Sequence, residues 1–299
     1  MSAKLFSLKA IALGTAAVGF SVSTANAACE LVVLDPPSSI TVDYDVYGFQ
    51  RAFDTTEVQV QNIGDSICEL EFVIEDVADA PPPFQFIQAG VAIEVNAPGL
   101  QRPQSDQVVQ GIFGLSLAPN ETQLVTLDFF TEQYVAVPSG SYARELSVGI
   151  RLDNTTDLLE EFVIDLGLNA IPRAQVNIAG SAGIFGQDTF SDFVDFGEPE
   201  VNESKRVFIQ TRSNTVATVT IRSDNKGVMK HETANGSYID YRAELDGTVL
   251  DLSGDVVISN LNATDLDGDS SPLDLTIEEL VNPFAGSYSD RIVIEIEAQ

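Results

Sequence analysis

An acidic run near the C-terminus carries the best-spaced candidates for metal ligation. Asp265, Asp267 and Asp269 stand at alternate positions, and carboxylate oxygens are the ligands that a hard cation such as calcium prefers. The run departs from the EF-hand pattern, because Gly268 is displaced from the sixth place of the loop and Thr276 stands where a bidentate glutamate belongs. The sequence therefore favours a solvated acidic turn, and a calcium site is the alternative.

Residues suited to catalysis form no recognisable group. His231 is the only histidine, beside Lys230 in a polar stretch, and the chain has no Gly-x-Ser-x-Gly sequence. Paired carboxylates are too frequent in so acidic a chain to indicate a site. We therefore expect no enzymatic activity and no cofactor.

The N-terminus has the pattern of a secretory signal over residues 1–27. Lys4 and Lys9 precede an apolar stretch, and Ala25-Asn26-Ala27 supplies small residues for cleavage. A lipid anchor on Cys29 is disfavoured, since Asn26 stands where that signal requires a large apolar residue. The pattern predicts export through the periplasm.

The two cysteines are Cys29 and Cys68. Export places them in an oxidising compartment, where a disulfide is the expected state. A zinc or redox site would need partners such as a Cys-x-x-Cys pair, which the sequence lacks. We predict a Cys29–Cys68 disulfide.

The charge balance limits the classes of partner. Asp and Glu number 45 against 15 Lys and Arg, which gives a net charge of −30. Nucleic acid and anionic lipid both need a positive field, so neither is expected as a partner. No segment after the signal is apolar over the roughly 20 residues that a membrane-spanning helix requires.

Period-two alternation of apolar and polar residues dominates the remaining sequence and predicts strands. The clearest runs are 146–152 and 292–298, and each follows the tripeptide Gly-Ser-Tyr, at Gly140 and at Gly286. Two such copies indicate a repeat on the scale of a domain. A further strand, Phe162 to Ala170, follows only the first copy.

The alternation and the repeat predict an all-β protein of two immunoglobulin-like antiparallel β-sandwiches. Ile171-Pro172-Arg173 is the expected linker, because proline cannot lie inside a central strand. The predicted domains are residues 28–171 and 172–299. The second is expected to be an incomplete sandwich that lacks its last strand.

Several short motifs resemble the spore coat protein U domain of archaic chaperone-usher pili. In the second half these are Asp195-Phe196-Gly197, the strand Ile239 to Ala243 and Ala285 to Asp290. In the first half, Val42 to Asp45, Gln61 to Cys68 and Pro138 to Tyr142 look like the corresponding elements. Residues 80–120 match no element of that family.

The resemblance implies a tip adhesin that joins a pilus by donor-strand complementation and supports biofilm formation. The implied partners are the donor strand of the next pilin subunit, a periplasmic chaperone, an outer-membrane usher and a host or abiotic surface. A chain beginning at Ala28 is expected to have no extension to donate, which suits the pilus tip. The strand implied to accept the donor and contact the chaperone carries Ile292, Ile294, Ile296 and Ala298.

Apolar residues in loop-like segments are the expected surface-binding residues. They are Tyr47, Phe49, Phe84, Phe86, Ile87, Ile112, Phe113 and Leu115. The competing interpretation places them in the core, because exposed and buried apolar loops look alike in sequence.

Two other functions fit parts of the sequence. The alternative is a stand-alone secreted or periplasmic β-sandwich that binds calcium or another protein and does not polymerise. A two-domain chaperone is less consistent with the composition, because such a protein needs a basic cleft and this chain is strongly acidic.

Overall fold

The computed structural model describes residues 28–78, 80–101, 111–187 and 193–299. Those residues form strands, turns and irregular segments, without a helix, so the all-β prediction is confirmed. The described residues accordingly include no helix that could span a membrane. The signal predicted for residues 1–27 lies outside the described residues.

The described residues of the first half form ten strands. They are β1 (Leu31–Leu34), β2 (Ser39–Tyr44), β3 (Phe53–Asn62), β4 (Cys68–Asp76), β5 (Phe84–Phe86), β6 (Val91–Asn96), β7 (Ile112–Leu117), β8 (Thr122–Thr131), β9 (Gly140–Leu152) and β10 (Leu158–Ala170). Sheet 1 has the order β1-β3-β8-β6-β5, and sheet 2 has the order β2-β10-β9-β4-β7. The sequence predicts antiparallel sandwiches, but one pair of strands differs: β10 pairs with β2 in parallel.

The part of the second half that the structure describes also forms ten strands. They are β11 (Ala174–Ala179), β12 (Ser204–Ser213), β13 (Ala217–Ser223), β14 (Val228–His231), β15 (Tyr238–Leu245), β16 (Thr248–Leu250), β17 (Val256–Leu261), β18 (Asp269–Val281), β19 (Tyr288–Ser289) and β20 (Ile292–Ala298). Sheet 3 has the order β11-β12-β18-β15-β14-β19, with β16 beside β15, and sheet 4 has the order β17-β13-β20.

Each half has its own hydrophobic core. Inward side chains of sheets 1 and 2, among them Phe72, Phe129 and Leu166, form one buried cluster. Val207, Ile221 and residues from sheets 3 and 4 form the other. No strand is shared between the two pairs of sheets within the described residues. The boundary at residues 171 and 172 falls between β10 and β11 and stays a prediction.

The Gly-Ser-Tyr repeat has the same local structure in both halves. Gly140 and Gly286 have φ angles of 146° and 152°. The Tyr142 hydroxyl donates to the carbonyl of Pro138 at 2.9 Å, and the Tyr288 hydroxyl donates to that of Phe284 at 3.1 Å. The two tripeptides therefore have equivalent local geometry, although the first begins β9 directly and the second precedes β20, with Tyr288 in β19.

The surroundings of these two glycines predict different tolerance of a side chain. A Cβ on Gly286 would lie 2.4 Å from Nε2 of His231, whereas a Cβ on Gly140 would meet nothing closer than the Tyr142 hydroxyl at 3.9 Å. Both alanine variants carry similar backbone strain, so Gly286→Ala should cost about 1–3 kcal/mol more, because it also overpacks. Thermal unfolding of both variants measures the difference, and equal losses would contradict the imidazole contact.

Candidate functional site

Strand β9 is enclosed on both sides within sheet 2. It pairs with β4 along one edge and with β10 along the other. Opposite pairs on the inner face include Leu146 with Ile164 and Val148 with Phe162. Leu146, Val148 and Ile150 are consequently 0% exposed.

Strand β20 is the counterpart of β9 but is paired along one edge only. It pairs with β13, from Ser223 opposite Ile292 to Ala217 opposite Ala298, and no strand of the described residues is hydrogen-bonded to its other edge. Ile292, Ile294 and Ile296 pack against the second core while remaining partly exposed. The second half therefore presents unpaired backbone beside an incompletely covered core.

An open groove runs between β20 and the edge strand of the facing sheet. Its volume is about 560 Å³, and its lining includes Gln175 and Val176 of β11, Phe185, and Ile296 of β20. A second cavity of about 240 Å³ reaches Ile296 from the side of Arg212. The four predicted residues of β20 are thus brought together along one strand that borders this groove.

The start of β20 is fixed by a partly buried carboxylate, that of Asp290. The Tyr241 hydroxyl donates to Oδ2 of Asp290 at 2.5 Å, and the Ser223 hydroxyl donates to the same atom at 2.6 Å. Burial, followed by the hydrogen bond to Asp290, raises the pKa of Tyr241. The phenol therefore stays a proton donor at neutral pH, and it positions β20 while the outer edge stays open.

In the first half, the residue that corresponds to Asp290, counted from the Gly-Ser-Tyr tripeptide, is Arg144 of β9, so the charge is of opposite sign. Arg144 donates to the carboxylate of Asp76, which is 1% exposed. Hydrogen bonds from the backbone N–H of Ala80 and from Arg144 hold the pKa of Asp76 below its usual range despite burial. Each half therefore fixes its repeated strand by a polar contact to the neighbouring strand.

Asn214 links the two halves of the chain. Its Nδ2 donates to the carbonyls of Val137 at 3.2 Å and Ile171 at 3.0 Å, and its Oδ1 accepts from the N–H of Arg173 at 2.8 Å. The N–H of Ser139 donates to the Asn214 carbonyl at 2.9 Å. We call this contact between the halves, together with the cavity lined by Val46, Tyr47 and Leu266, the joint.

Arg212 lies between the joint and the groove. Its guanidinium carbon is 4.2 Å from the ring centre of Tyr47 and 4.3 Å from that of Phe185. Its Nε and Nη2 donate to Oε1 of Gln175 at 2.9 and 2.6 Å. Burial raises the pKa of Tyr47 to about 12 and lowers that of Arg212, so a neutral ring and a cation face each other.

The acidic turn contributes to the joint. Oδ1 of Asp265 accepts from the N–H groups of Asp267 at 3.0 Å and Gly268 at 3.1 Å, while Leu266 packs against the core of the first half. Asp265, Asp267 and Asp269 do not form a cluster, since the described residues contain no group of three metal-ligating side chains. The structure therefore gives the run a packing role that the sequence did not predict.

The structure corrects the predicted surface-binding set. Phe84, Phe86, Phe113 and Leu115 are at most 7% exposed and belong to the first core, because they lie on the inner faces of β5 and β7. The remaining four are divided: Ile112 is half-buried on β7, Tyr47 contacts Arg212 in the joint, and Phe49 and Ile87 are both 88% exposed.

The two exposed residues lie at the same end of sheet 1, Phe49 before β3 and Ile87 directly after β5. Phe53 and Tyr134 are also exposed, by 57% and 61%, and we call Phe49, Phe53, Ile87 and Tyr134 the apolar rim. The loops that carry Phe49 and Tyr134 are linked by a hydrogen bond from the Gln133 side chain to the Phe49 carbonyl at 3.0 Å. Tyr134 was missed in the sequence, where nothing distinguishes it from a core aromatic residue.

The predicted disulfide is confirmed between Cys29 and Cys68. It joins Cys29, two residues before β1 of sheet 1, to the first residue of β4 in sheet 2. The N–H of Ala28 also donates to Oδ1 of Asp65 at 2.8 Å. The disulfide therefore fixes the N-terminal segment at the end of the first half opposite the apolar rim.

No family model and no curated protein matches the chain. Among solved structures it is similar to a chain of the CsuC–CsuE chaperone–tip adhesion subunit pre-assembly complex from archaic chaperone-usher Csu pili of Acinetobacter baumannii, with 12% identity, a TM-score of 0.48, and coverage of 89% of this chain and 99% of that chain.

Two further solved structures have lower TM-scores. The CupB6 tip adhesin from Pseudomonas aeruginosa has 8% identity, a TM-score of 0.42, and coverage of 90% of this chain and 95% of that chain. CfaE, the adhesive subunit of CFA/I fimbria of enterotoxigenic Escherichia coli, has 12% identity, a TM-score of 0.33, and coverage of 88% and 93%. Similarities with identities and TM-scores this low do not indicate a function for this chain.

Proposed function

We propose that this chain is the adhesive tip subunit of a pilus and joins the fibre by accepting a strand from the next subunit beside β20. The observation that carries the proposal is the contrast between the repeated strands. β9 is enclosed by β4 and β10, whereas β20 has β13 alone among the described residues. The function accordingly divides between a closed half for contact and an open half for assembly.

The first half provides a template for the accepted strand. β10 runs antiparallel to β9 and places Phe162, Ile164, Leu166 and Leu168 toward the core. A donated strand antiparallel to β20 would cover Ile292, Ile294 and Ile296 in the same way. Backbone hydrogen bonds then supply affinity, and apolar side chains at alternate positions supply specificity.

The open edge also explains the proposed partners of assembly. An unpaired strand beside an exposed core is prone to aggregation before it is covered. A periplasmic chaperone would cover β20 and its row of isoleucines after export, and an outer-membrane usher would exchange the chaperone for the donor strand. This proposal places the protein at the cell surface, without an enzymatic role.

The apolar rim is the proposed contact with a host or abiotic surface. Three of its four members are aromatic, and Phe49 and Ile87 are almost fully exposed. Exposed apolar residues gathered at one end of a sheet suit an interaction site better than isolated ones do, because a partner can cover them together. Attachment through the rim would exclude water from the contact at about 25 cal/mol per Å² of apolar surface, which supports biofilm formation.

A synthetic peptide with the sequence of β10, Leu158–Ala170, tests the assembly function. We expect it to bind the full chain with one-to-one stoichiometry in calorimetry and to raise the melting temperature, because a ligand of the folded state stabilises it. The control peptide replaces Ile164 and Leu166 with aspartate and should not bind. Absence of binding by the β10 peptide, or equal binding by both, would overturn strand acceptance.

A further inference from the structure

The groove and the joint share one side chain, Arg212. Gln175 and Phe185 line the groove, and both contact the Arg212 guanidinium. Tyr47 lines the cavity of the joint, and the centre of its ring lies 4.2 Å from the guanidinium carbon of Arg212. The described residues therefore form a continuous contact path from the groove of the second half to the first half.

We propose that Arg212 couples strand binding in the groove to the rigidity of the joint between the halves. The inference rests on the proposed function, since it requires that the groove accept a strand. It assigns to Arg212 a positioning role, because the residue acts on the first half through Tyr47. The bound strand would then set how firmly the contact half is held on the fibre.

The physical reason for this coupling is the solvation of the Arg212 guanidinium and the two rings that it contacts, those of Tyr47 and Phe185. With the groove open, Phe185 is only half-buried, and water has access to Gln175 and Phe185 along the groove. A cation–π contact is weaker at an exposed site than at a desolvated one. A strand in the groove removes that water and restricts Gln175 and Phe185, so it strengthens the contact between Arg212 and Tyr47.

Coupling between two sites is reciprocal in binding free energy. If the strand strengthens the contact with Tyr47, loss of that contact must weaken strand binding, although Tyr47 does not line the groove. We expect Tyr47→Leu to lower the affinity for the β10 peptide about fivefold, at the low end of typical coupling. Tyr47→Phe keeps the aromatic ring and should retain the wild-type affinity.

Arg173→Ala is the matched control at the joint. The Arg173 side chain forms an ion pair with Asp45 across the joint at 2.9 Å, and its side-chain hydrogen bond among the described residues goes to that carboxylate rather than to Arg212, Gln175 or Phe185. The affinity of this variant for the peptide should equal that of the wild type. A loss equal to that of Tyr47→Leu would show that any loosening of the joint weakens binding, which overturns the role of Arg212.

Hydrogen exchange gives a second measurement on the full chain. Addition of the β10 peptide should slow amide exchange over residues 45–48 in the wild type and in Arg173→Ala, but not in Tyr47→Leu. Peptide binding with unchanged affinity in Tyr47→Leu and no protection at residues 45–48 would overturn the coupling and leave strand acceptance standing. Failure of the wild type to bind the peptide would overturn both.

Discussion

Replacing Ile294 with aspartate should lower the affinity of the full chain for the β10 peptide by about 100-fold or more. The repeat places Ile294 where the first half has Val148, directly opposite Phe162 of β10. A bound strand would bury the new carboxylate without a partner, and an unpaired buried charge costs several kcal/mol. Calorimetric titration of the variant with the peptide measures the loss.

The control for this substitution is the neighbouring Val293. Its side chain points away from the second core, since Ile292 and Ile294 pack on that core and Val293 does not. Val293→Asp should therefore bind the peptide as the wild type does. Ile294→Ala guards against a folding defect, because it removes apolar contact without adding charge and should lose about tenfold. Full affinity in both Ile294 variants would exclude β20 as the accepting strand.

Strand positions were predictable where alternation was regular and ended at a clear turn. The runs after Gly140 and Gly286 became β9 and β20 with their apolar residues inward. The strand from Phe162 was also found, as part of β10. These features are local, because side chains of a strand alternate between its two faces whatever the strand pairs with. The parallel pairing of β10 with β2 depends on a distant segment, so the pattern gave no indication of it.

Burial of the apolar segments was the least predictable property. Phe84 and Phe86 follow consecutive prolines, and Phe113 lies between two glycines, so turn signals obscured two short strands that face the core. Tyr47 and Leu266 look like exposed loop residues in sequence, yet each contacts the other half of the chain. Such contacts follow from the placement of the halves, which no local spacing encodes.

Replacing Phe49 and Ile87 together with serine should reduce attachment to a methyl-terminated surface about tenfold or more. Both side chains are 88% exposed, and burial of a large apolar side chain is worth about 1.5–3 kcal/mol when complete. A flat surface covers each one only in part, which still leaves a large combined loss. Retention of purified protein after rinsing, measured by surface plasmon resonance, gives the difference.

The matched variant replaces Ile63 and Ile67 with serine. These residues are 51% and 61% exposed and lie in the turn after β3, whereas the apolar rim lies at the other end of that strand. If the rim is the contact site, this variant should attach as the wild type does, because the two opposite ends of sheet 1 cannot both touch one flat surface at the same time. Loss of attachment in this variant alone would move the contact site to the end that the Cys29–Cys68 disulfide fixes, and equal loss in both would indicate general adsorption driven by exposed apolar area.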